Sequence, residues 1–184
     1  MNFPVFDLHC DTSLGLAGIY SKDPVSLRKN ELHIDLERAG KLGGYAQCFG
    51  CFTTTLSEFP KSISVADVFE REMTAVLREI EANSDLISLA YSAEEIEANR
   101  KQGIMSGILT IEGPAGFDFN AELLENLYQI GFRITTLGWN EQNPLTGSCV
   151  TGGGLTEQGR EYVRLAQKVG MVVDVSHISD EGFW

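Results

Sequence analysis

Short apolar runs alternate with amphipathic segments along most of the chain, and this alternation restricts the fold more than any other feature. Five runs have the character of strands: residues 4–9, 44–54, 104–111, 132–137 and 171–175. Strands that alternate with helices predict parallel βαβ units. The third run, IMSGILTI, is almost entirely apolar, which is typical of a strand buried on both faces.

The segments between these strands carry signals for helix starts. Suitable capping residues mark five helix starts, four between the strands and one after the last strand: Ser64, Ser92, Asn120, Thr156 and Ser179. Asp67 completes a capping-box pattern with Ser64. The apolar residues of 65–82 then recur at helical spacing on one face, which predicts a long amphipathic helix.

Two phosphate-binding motifs of α/β proteins are absent from the sequence. No GxGxxG follows the first strand, and the TGGGL segment lacks the lysine of a phosphate-binding loop. We therefore expect one α/β domain over residues 1–184, of the (β/α)8 TIM-barrel type rather than a dinucleotide-binding sheet. About the first five βα units of such a barrel are present, since a complete one typically needs about 250 residues.

Charge and composition exclude several kinds of partner. The 26 acidic residues outnumber the 14 basic ones, which gives a formal net charge of −12. This balance argues against binding to nucleic acid or to anionic lipid. No apolar run reaches the length of about 18 residues needed for a membrane-spanning helix, and the N-terminus lacks the features of a secretory signal. The expected location is cytoplasmic.

The four cysteines predict neither a structural zinc site nor a disulfide. Cys48 and Cys51 form a CxxC, but they lie in a predicted strand, where residues three apart point to opposite faces. No second CxxC is present to complete a zinc site. We expect reduced, mostly buried thiols.

Polar residues follow the strands at the end where parallel barrels place their active sites. They include four potential metal ligands: His9 and Asp11 after the first strand, Glu112 after the third and His177 after the fifth. Residues two apart on a strand share a face, so His9 and Asp11 can reach one ion. Imidazole and carboxylate ligands suit Zn²⁺, and a carboxylate can bridge two cations that activate a hydroxide between them.

Other polar residues have structural interpretations. His33 and Asp35 repeat the His-x-Asp spacing, but no strand precedes them, which favours a structural role. Asp174 lies within the fifth predicted strand and is expected to be a buried, hydrogen-bonding carboxylate near the metal ligands. Taken singly, His9, Glu112 and His177 also fit ordinary polar positions, and it is their joint occurrence that favours a metal site.

The sequence resembles the renal (membrane) dipeptidase family, peptidase family M19, of the metal-dependent amidohydrolase superfamily. The resemblance extends along essentially the whole chain. It is carried, in order, by FDLHCDT, LHIDLERAGKLGG, ILTIEGPAG, GFRITTLGWNEQNP, GLTEQGREYV and GMVVDVSHISDEGFW. It implies hydrolysis of dipeptides, often with a C-terminal D-residue, at two Zn²⁺ ions in a (β/α)8 barrel.

Carried over by residue, the resemblance implies that His9 and Asp11 bind the first zinc, Glu112 bridges both and His177 binds the second. It also implies that Trp139 and Asn140, after the fourth strand, contact the substrate. Trp139 stands where the mammalian members have a substrate-contacting histidine. A further zinc histidine and the acid/base aspartate of the family have no counterpart among the 184 residues, so the catalytic residue is unknown.

Three functions are therefore consistent with the sequence. The first is a zinc-dependent dipeptidase, with a dipeptide as its partner and possible homo-oligomers. The second is a truncated, inactive barrel remnant that associates through open sheet edges. The third is another amidohydrolase, of the lactonase or deaminase type, although those enzymes often carry His-x-His rather than the His9-x-Asp11 found here.

Overall fold

The computed structural model describes residues 3–20 and 23–184. The strands in this part of the chain are β1 (Val5–Asp7), β2 (Tyr45–Phe52), β3 (Ile87–Leu89), β4 (Met105–Glu112), β5 (Phe132–Thr136) and β6 (Val172–Asp174). The helices are α1 (Thr12–Leu16), α2 (Leu36–Ala39), α3 (Val65–Ala82), α4 (Ala93–Gln102), α5 (Leu124–Ile130), α6 (Glu157–Val169) and α7 (Asp180–Phe183). Short 3₁₀ turns at Pro114–Phe117 and Ala121–Leu123 precede α5.

The strands form one sheet in the order β1-β2-β4-β5-β6, with β3 paired to β4. The β1–β2, β3–β4 and β5–β6 pairs are parallel. Five of the strands correspond to the five predicted ones. The sixth, β3, was not predicted, because a strand of three residues is too short to show periodicity.

The predicted helix starts are confirmed by capping hydrogen bonds. The side-chain oxygens of the five predicted caps accept backbone N–H groups within the first turn: Ser64 from Asp67, Ser92 from Glu95, Asn120 from Glu122, Thr156 from Gly159 and Ser179 from Gly182. Each bond satisfies a donor that the helix itself leaves unpaired. Among the helices of the described residues, none is long and apolar enough to cross a membrane.

The contacts divide the chain into two compact units, of which the first comprises Met1–Cys51 and Arg71–Leu109. Its interior contains Leu16, Leu27, Phe49 and Ile87, all at most 1% exposed. Cys48 and Cys51 are both buried, which agrees with the prediction from their position on a strand. Burial also raises the pKa of Cys51, so its thiol stays protonated.

The second unit comprises Phe52–Glu70 and Thr110–Trp184. The ring of Phe69 stacks on Phe132 with 5.5 Å between centroids. Tyr162 on α6 is fully buried, and its hydroxyl lies 2.8 Å from Thr135 Oγ1 on β5. This bond satisfies the one polar group that α6 brings into the core.

Candidate metal centre

His9 and Asp11 lie in the segment that joins β1 to α1. This segment continues the pairing with β2, since Cys10 N donates to Cys48 O at 3.1 Å and Gly50 N donates to Cys10 O at 3.0 Å. His9 and Asp11 flank Cys10, and their side chains meet, with 3.3 Å between His9 Nε2 and Asp11 Oδ1. The predicted geometry of the His-x-Asp pair is therefore present in the first unit.

Gly50 leaves the space in which the His9 ring lies. A Cβ atom at this position would be 2.9 Å from His9 Cε1, closer than side-chain carbons approach. His9 N also donates to Asp7 Oδ1 at 3.2 Å. The backbone of β2 and the end of β1 thus fix the imidazole next to Asp11.

The thiol of Cys10, between the two ligands, is a poor competitor for a metal. Burial raises the pKa of Cys10 to about 11, although hydrogen bonds with Thr12 act in the opposite direction. Since thiolate rather than thiol binds metal, His9 and Asp11 are the donors that this segment offers at neutral pH.

Glu112 and His177 meet in the second unit. Glu112 is the last residue of β4 and is 5% exposed. Its backbone carbonyl accepts Thr53 N at 2.8 Å, and its Oε1 lies 3.6 Å from His177 Nε2. These two predicted ligands therefore lie close together within the second unit.

His177 has an unusual backbone conformation. Its φ is +67°, in the left-handed region that non-glycine residues rarely adopt. Its carbonyl accepts Cys149 N at 2.7 Å, which holds the turn after β6. Backbone conformations of this kind concentrate at functional sites, and here the turn directs the imidazole towards Glu112.

Asn140 and Trp139, in the loop after β5, both adjoin His177. Asn140 Oδ1 lies 3.3 Å from His177 Nδ1, and the Trp139 ring centroid lies 6.3 Å from that of His177. A proton on Nδ1 donates to Asn140 and leaves Nε2 as the lone-pair atom that faces Glu112. Trp139 also packs edge-on against Phe52 at 5.1 Å. The contact of either residue with a substrate stays a prediction.

Each unit thus brings one imidazole and one carboxylate together: His9 with Asp11 in the first unit, and His177 with Glu112 in the second. Imidazole nitrogens and carboxylate oxygens are donor types that Zn²⁺ binds at about 2.0–2.2 Å. The donor set therefore fits the metal that the sequence predicts.

Two aspartates singled out from the sequence have other positions. The prediction that Asp174 is buried is wrong, because it ends β6 half-exposed and accepts Ser176 N at 2.8 Å, which stabilises the turn. The structural role predicted for Asp35 is confirmed, because it caps α2 and pairs with Arg38. His33, its partner in the second His-x-Asp, lines a cleft that His9 and Asp11 also line.

Sequence reasoning missed three buried polar side chains. Ser13 and Glu72 contact each other in the first unit. Glu141 is 4% exposed, and neither carboxylate oxygen has a hydrogen-bond partner among the described residues. The only sequence signal that could have pointed to Glu141 is its position directly after Asn140. A periodic pattern of apolar residues does not show that a charged loop residue is buried.

Histidine and carboxylate side chains placed after the strands of a parallel α/β sheet are the arrangement expected of a metal-dependent hydrolase. The family model for membrane dipeptidase, peptidase family M19, matches residues 1–184. The chain therefore belongs to the membrane dipeptidase family.

Relatives and solved structures agree with this assignment. Dipeptidase verJ of Clonostachys rogersoniana is 26% identical, over 96% of this chain and 49% of its own length. Dipeptidase 3 of Rattus norvegicus is 24% identical, over 97% of this chain and 38% of its own. A metallopeptidase of Rhodobacter sphaeroides, solved with a phosphinate mimic of the dipeptide L-Ala-D-Ala, matches with a TM-score of 0.82 at 23% identity.

The comparisons confirm the fold class and define how much of it is present. The match to the Rhodobacter sphaeroides structure covers the whole of this chain and 61% of that one. The chain likewise spans between 37% and 66% of the curated relatives that it matches. It is thus part of a (β/α)8 barrel of the dipeptidase type.

Proposed function

We propose that the protein is a zinc-dependent dipeptidase in which His9 and Asp11 hold one zinc, Glu112 bridges two zincs and His177 holds the second. The contact of His9 Nε2 with Asp11 Oδ1, 3.3 Å apart in the first unit, carries the proposal together with the pair in the second unit. His177 contributes through its Nε2, 3.6 Å from Glu112 Oε1. Membership of the dipeptidase family supports a peptide bond as the bond that is cleaved.

The proposed substrate is a dipeptide, with a C-terminal D-residue accepted. The dipeptide mimic bound by the Rhodobacter sphaeroides relative, with its L-Ala-D-Ala sequence, supports this substrate class. Trp139 would offer an apolar surface to a substrate side chain, since its indole packs edge-on against Phe52 and the residue is half-exposed. The family match favours this activity over the lactonase or deaminase alternative.

The residues of this chain would bind and orient the metals. Asp11 and Glu112 supply two negative charges and the imidazoles supply neutral nitrogen donors. Asn140 keeps the His177 ring in one orientation and one tautomer through Nδ1. When bound, zinc supplies a Lewis acid for the peptide carbonyl and lowers the pKa of a bound water.

An inactive form that associates through its sheet edges is the second candidate. The apolar side chains of Phe6 on β1 and Val172 on β6 favour it, since they are 55% and 60% exposed.

Zinc content and dipeptide hydrolysis of the purified chain test the proposal. We expect bound zinc in the unaltered chain and a loss of both zinc and L-Ala-D-Ala hydrolysis in Glu112→Gln, because a carboxamide does not bridge two cations as a carboxylate does. Glu122→Gln, at an exposed acidic residue of the same unit, is the matched control and should change neither quantity.

Each outcome discriminates between the candidates. Two zincs retained by Glu112→Gln would contradict the bridging role. Zinc bound by the unaltered chain without any hydrolysis would support the inactive form. Absence of zinc from the unaltered chain would overturn the metal centre itself.

A further inference from the structure

A cleft of about 510 Å³ in the first unit lies beside the predicted ligands His9 and Asp11. One wall is formed by the end of β1 and the segment that follows it, and includes both of these residues. The other wall is formed by Leu32, His33 and Ile34, which precede α2. Small-molecule sites have volumes of about 300–1,000 Å³, so the cleft is large enough for a dipeptide next to the first proposed zinc.

The backbone on both sides of His33 is held by the side chain of Asn30. Asn30 Oδ1 accepts Leu32 N at 2.8 Å, and Asn30 Nδ2 donates to Ile34 O at 3.1 Å. Leu32 also packs on α1, since a Cβ atom at Gly15 would be 2.6 Å from Leu32 Cδ1. The second wall is thus attached to the helix that follows the first wall, and the cleft is formed without a ligand.

The His33 imidazole is available to a ligand in this cleft. The residue is exposed, and its ring has no hydrogen-bond or ion-pair partner in the part of the chain that the structure describes. The carboxylate of Asp7 on the opposite wall differs, because its Oδ1 accepts His9 N at 3.2 Å and its Oδ2 accepts the Tyr45 hydroxyl at 3.3 Å. An imidazole carries an N–H donor in either tautomer. His33 therefore offers this N–H to an oxygen atom of a ligand.

We propose that His33 is a substrate-binding residue, which donates a hydrogen bond to a carbonyl or carboxylate oxygen of a dipeptide in the cleft. Leu32 and Ile34 are both half-exposed and place apolar surface on either side of His33. The wall thus suits a ligand that presents an oxygen with apolar carbon beside it, as a dipeptide of apolar residues does. The inference rests on the proposed function, from which the dipeptide and the neighbouring zinc are taken.

Binding of a dipeptide mimic to the zinc-loaded chain tests this role without any need for turnover. The probe is the phosphinate mimic of L-Ala-D-Ala that the Rhodobacter sphaeroides relative binds, and calorimetry gives its dissociation constant. His33→Ala should weaken binding by about fivefold to tenfold, which corresponds to the loss of one hydrogen bond. Glu31→Gln, at an exposed position of the same segment, is the matched control and should bind as the unaltered chain does.

Two further variants distinguish the hydrogen bond from the shape of the ring. His33→Gln keeps an N–H donor on a side chain of similar length, and it should bind the mimic within a few-fold of the unaltered chain. His33→Phe keeps an aromatic ring without a donor, and its binding should stay as weak as that of His33→Ala. Tight binding by His33→Phe, or by His33→Ala itself, would overturn the role.

The zinc content of each variant separates this inference from the proposed function. Zinc should be retained in His33→Ala, because His33 is proposed to contact the dipeptide and not the metal, and its loss would contradict the inference. Zinc bound by the unaltered chain without any affinity for the mimic would overturn the inference and leave the metal centre standing. Absence of zinc from the unaltered chain would overturn both.

Discussion

At the scale of single residues, the two His-x-Asp sequences have aspartates in different surroundings. Asp11 lies in the segment between β1 and α1, where its side chain is 59% exposed and contacts His9. Asp35 is 3% exposed and accepts Arg38 N and Arg38 Nε, both at 2.7 Å. Burial by itself would raise the pKa of Asp35, but these hydrogen bonds outweigh it and lower the pKa below its usual value.

The lowered pKa of Asp35 predicts an acid-dependent contribution to stability. The contribution is present above the pKa of the unfolded state, about 3.9, and is lost as the pH falls through the lower pKa of the folded state. Asp35→Asn keeps a capping oxygen but loses the charge, and it should cost about 1 kcal/mol at pH 7. Urea unfolding at pH 7 and at pH 3 measures this difference.

The pH dependence shows whether the loss of stability in Asp35→Asn comes from the charge of the carboxylate or from the shape of the side chain. The cost of Asp35→Asn should shrink at pH 3, because the Asp35 carboxylate of the unfolded chain is largely protonated there and the advantage of the folded state decreases. A cost of the same size at both pH values would show that the charge is not involved. Glu31→Gln, at an exposed position nearby, should be neutral at both.

At the scale of elements, close contacts of Gly113 hold the turn after β4 and so fix the backbone next to Glu112. Gly113 has a φ of +81°, and its N donates to Thr136 Oγ1 at 2.8 Å. A Cβ at Gly113 would lie 2.0 Å from the carbonyl oxygen of Thr53, which is backbone and cannot move aside alone. The glycine is thus required by close packing as well as by its backbone conformation.

Comparison of two glycines separates these two requirements. Gly103, the C-cap of α4, also has a positive φ, but a Cβ there would meet nothing within 4 Å. Gly103→Ala should cost about 1 kcal/mol, the cost of a left-handed conformation. Gly113→Ala should cost at least about 3 kcal/mol, because the collision with Thr53 adds to it. Chemical denaturation measures the loss of unfolding free energy in each variant. Equal losses would show that the backbone at Thr53 can shift without an energetic cost.

At the scale of the whole molecule, apolar side chains remain exposed on the first and last strands in the sheet order. They include Val5 and Phe6 on β1 and Val172 on β6. Exposed strands of this composition are templates for pairing with another chain. Self-association is the expected consequence.

Sedimentation velocity over a range of concentrations measures this association. Val172→Lys should weaken it by about tenfold in dissociation constant, the equivalent of about 1.4 kcal/mol for a charge placed on an edge strand. Val150→Lys is the control, since Val150 is 70% exposed in a turn outside the named strands. A monomer at all concentrations would remove the basis for association through these edges.

Local signals in the sequence determined the order of elements and their boundaries. The apolar runs predicted five of the six strands found in the described residues, and Ser64, Ser92, Thr156 and Ser179 marked helix starts, because capping and periodicity depend on residues a few positions apart. Position after a strand likewise predicted His9, Asp11, Glu112 and His177 as candidate ligands. These inferences need no knowledge of distant contacts.

Tertiary structure alone decided which polar side chains are buried and what they contact. The contact of Ser13 with Glu72 joins residues 59 positions apart, and that of Asn140 with His177 joins residues 37 apart. The burial of Glu141 and the half-exposure of Asp174 are likewise products of packing. Such contacts depend on the path of the whole chain, and no local pattern of charge or hydrophobicity encodes them.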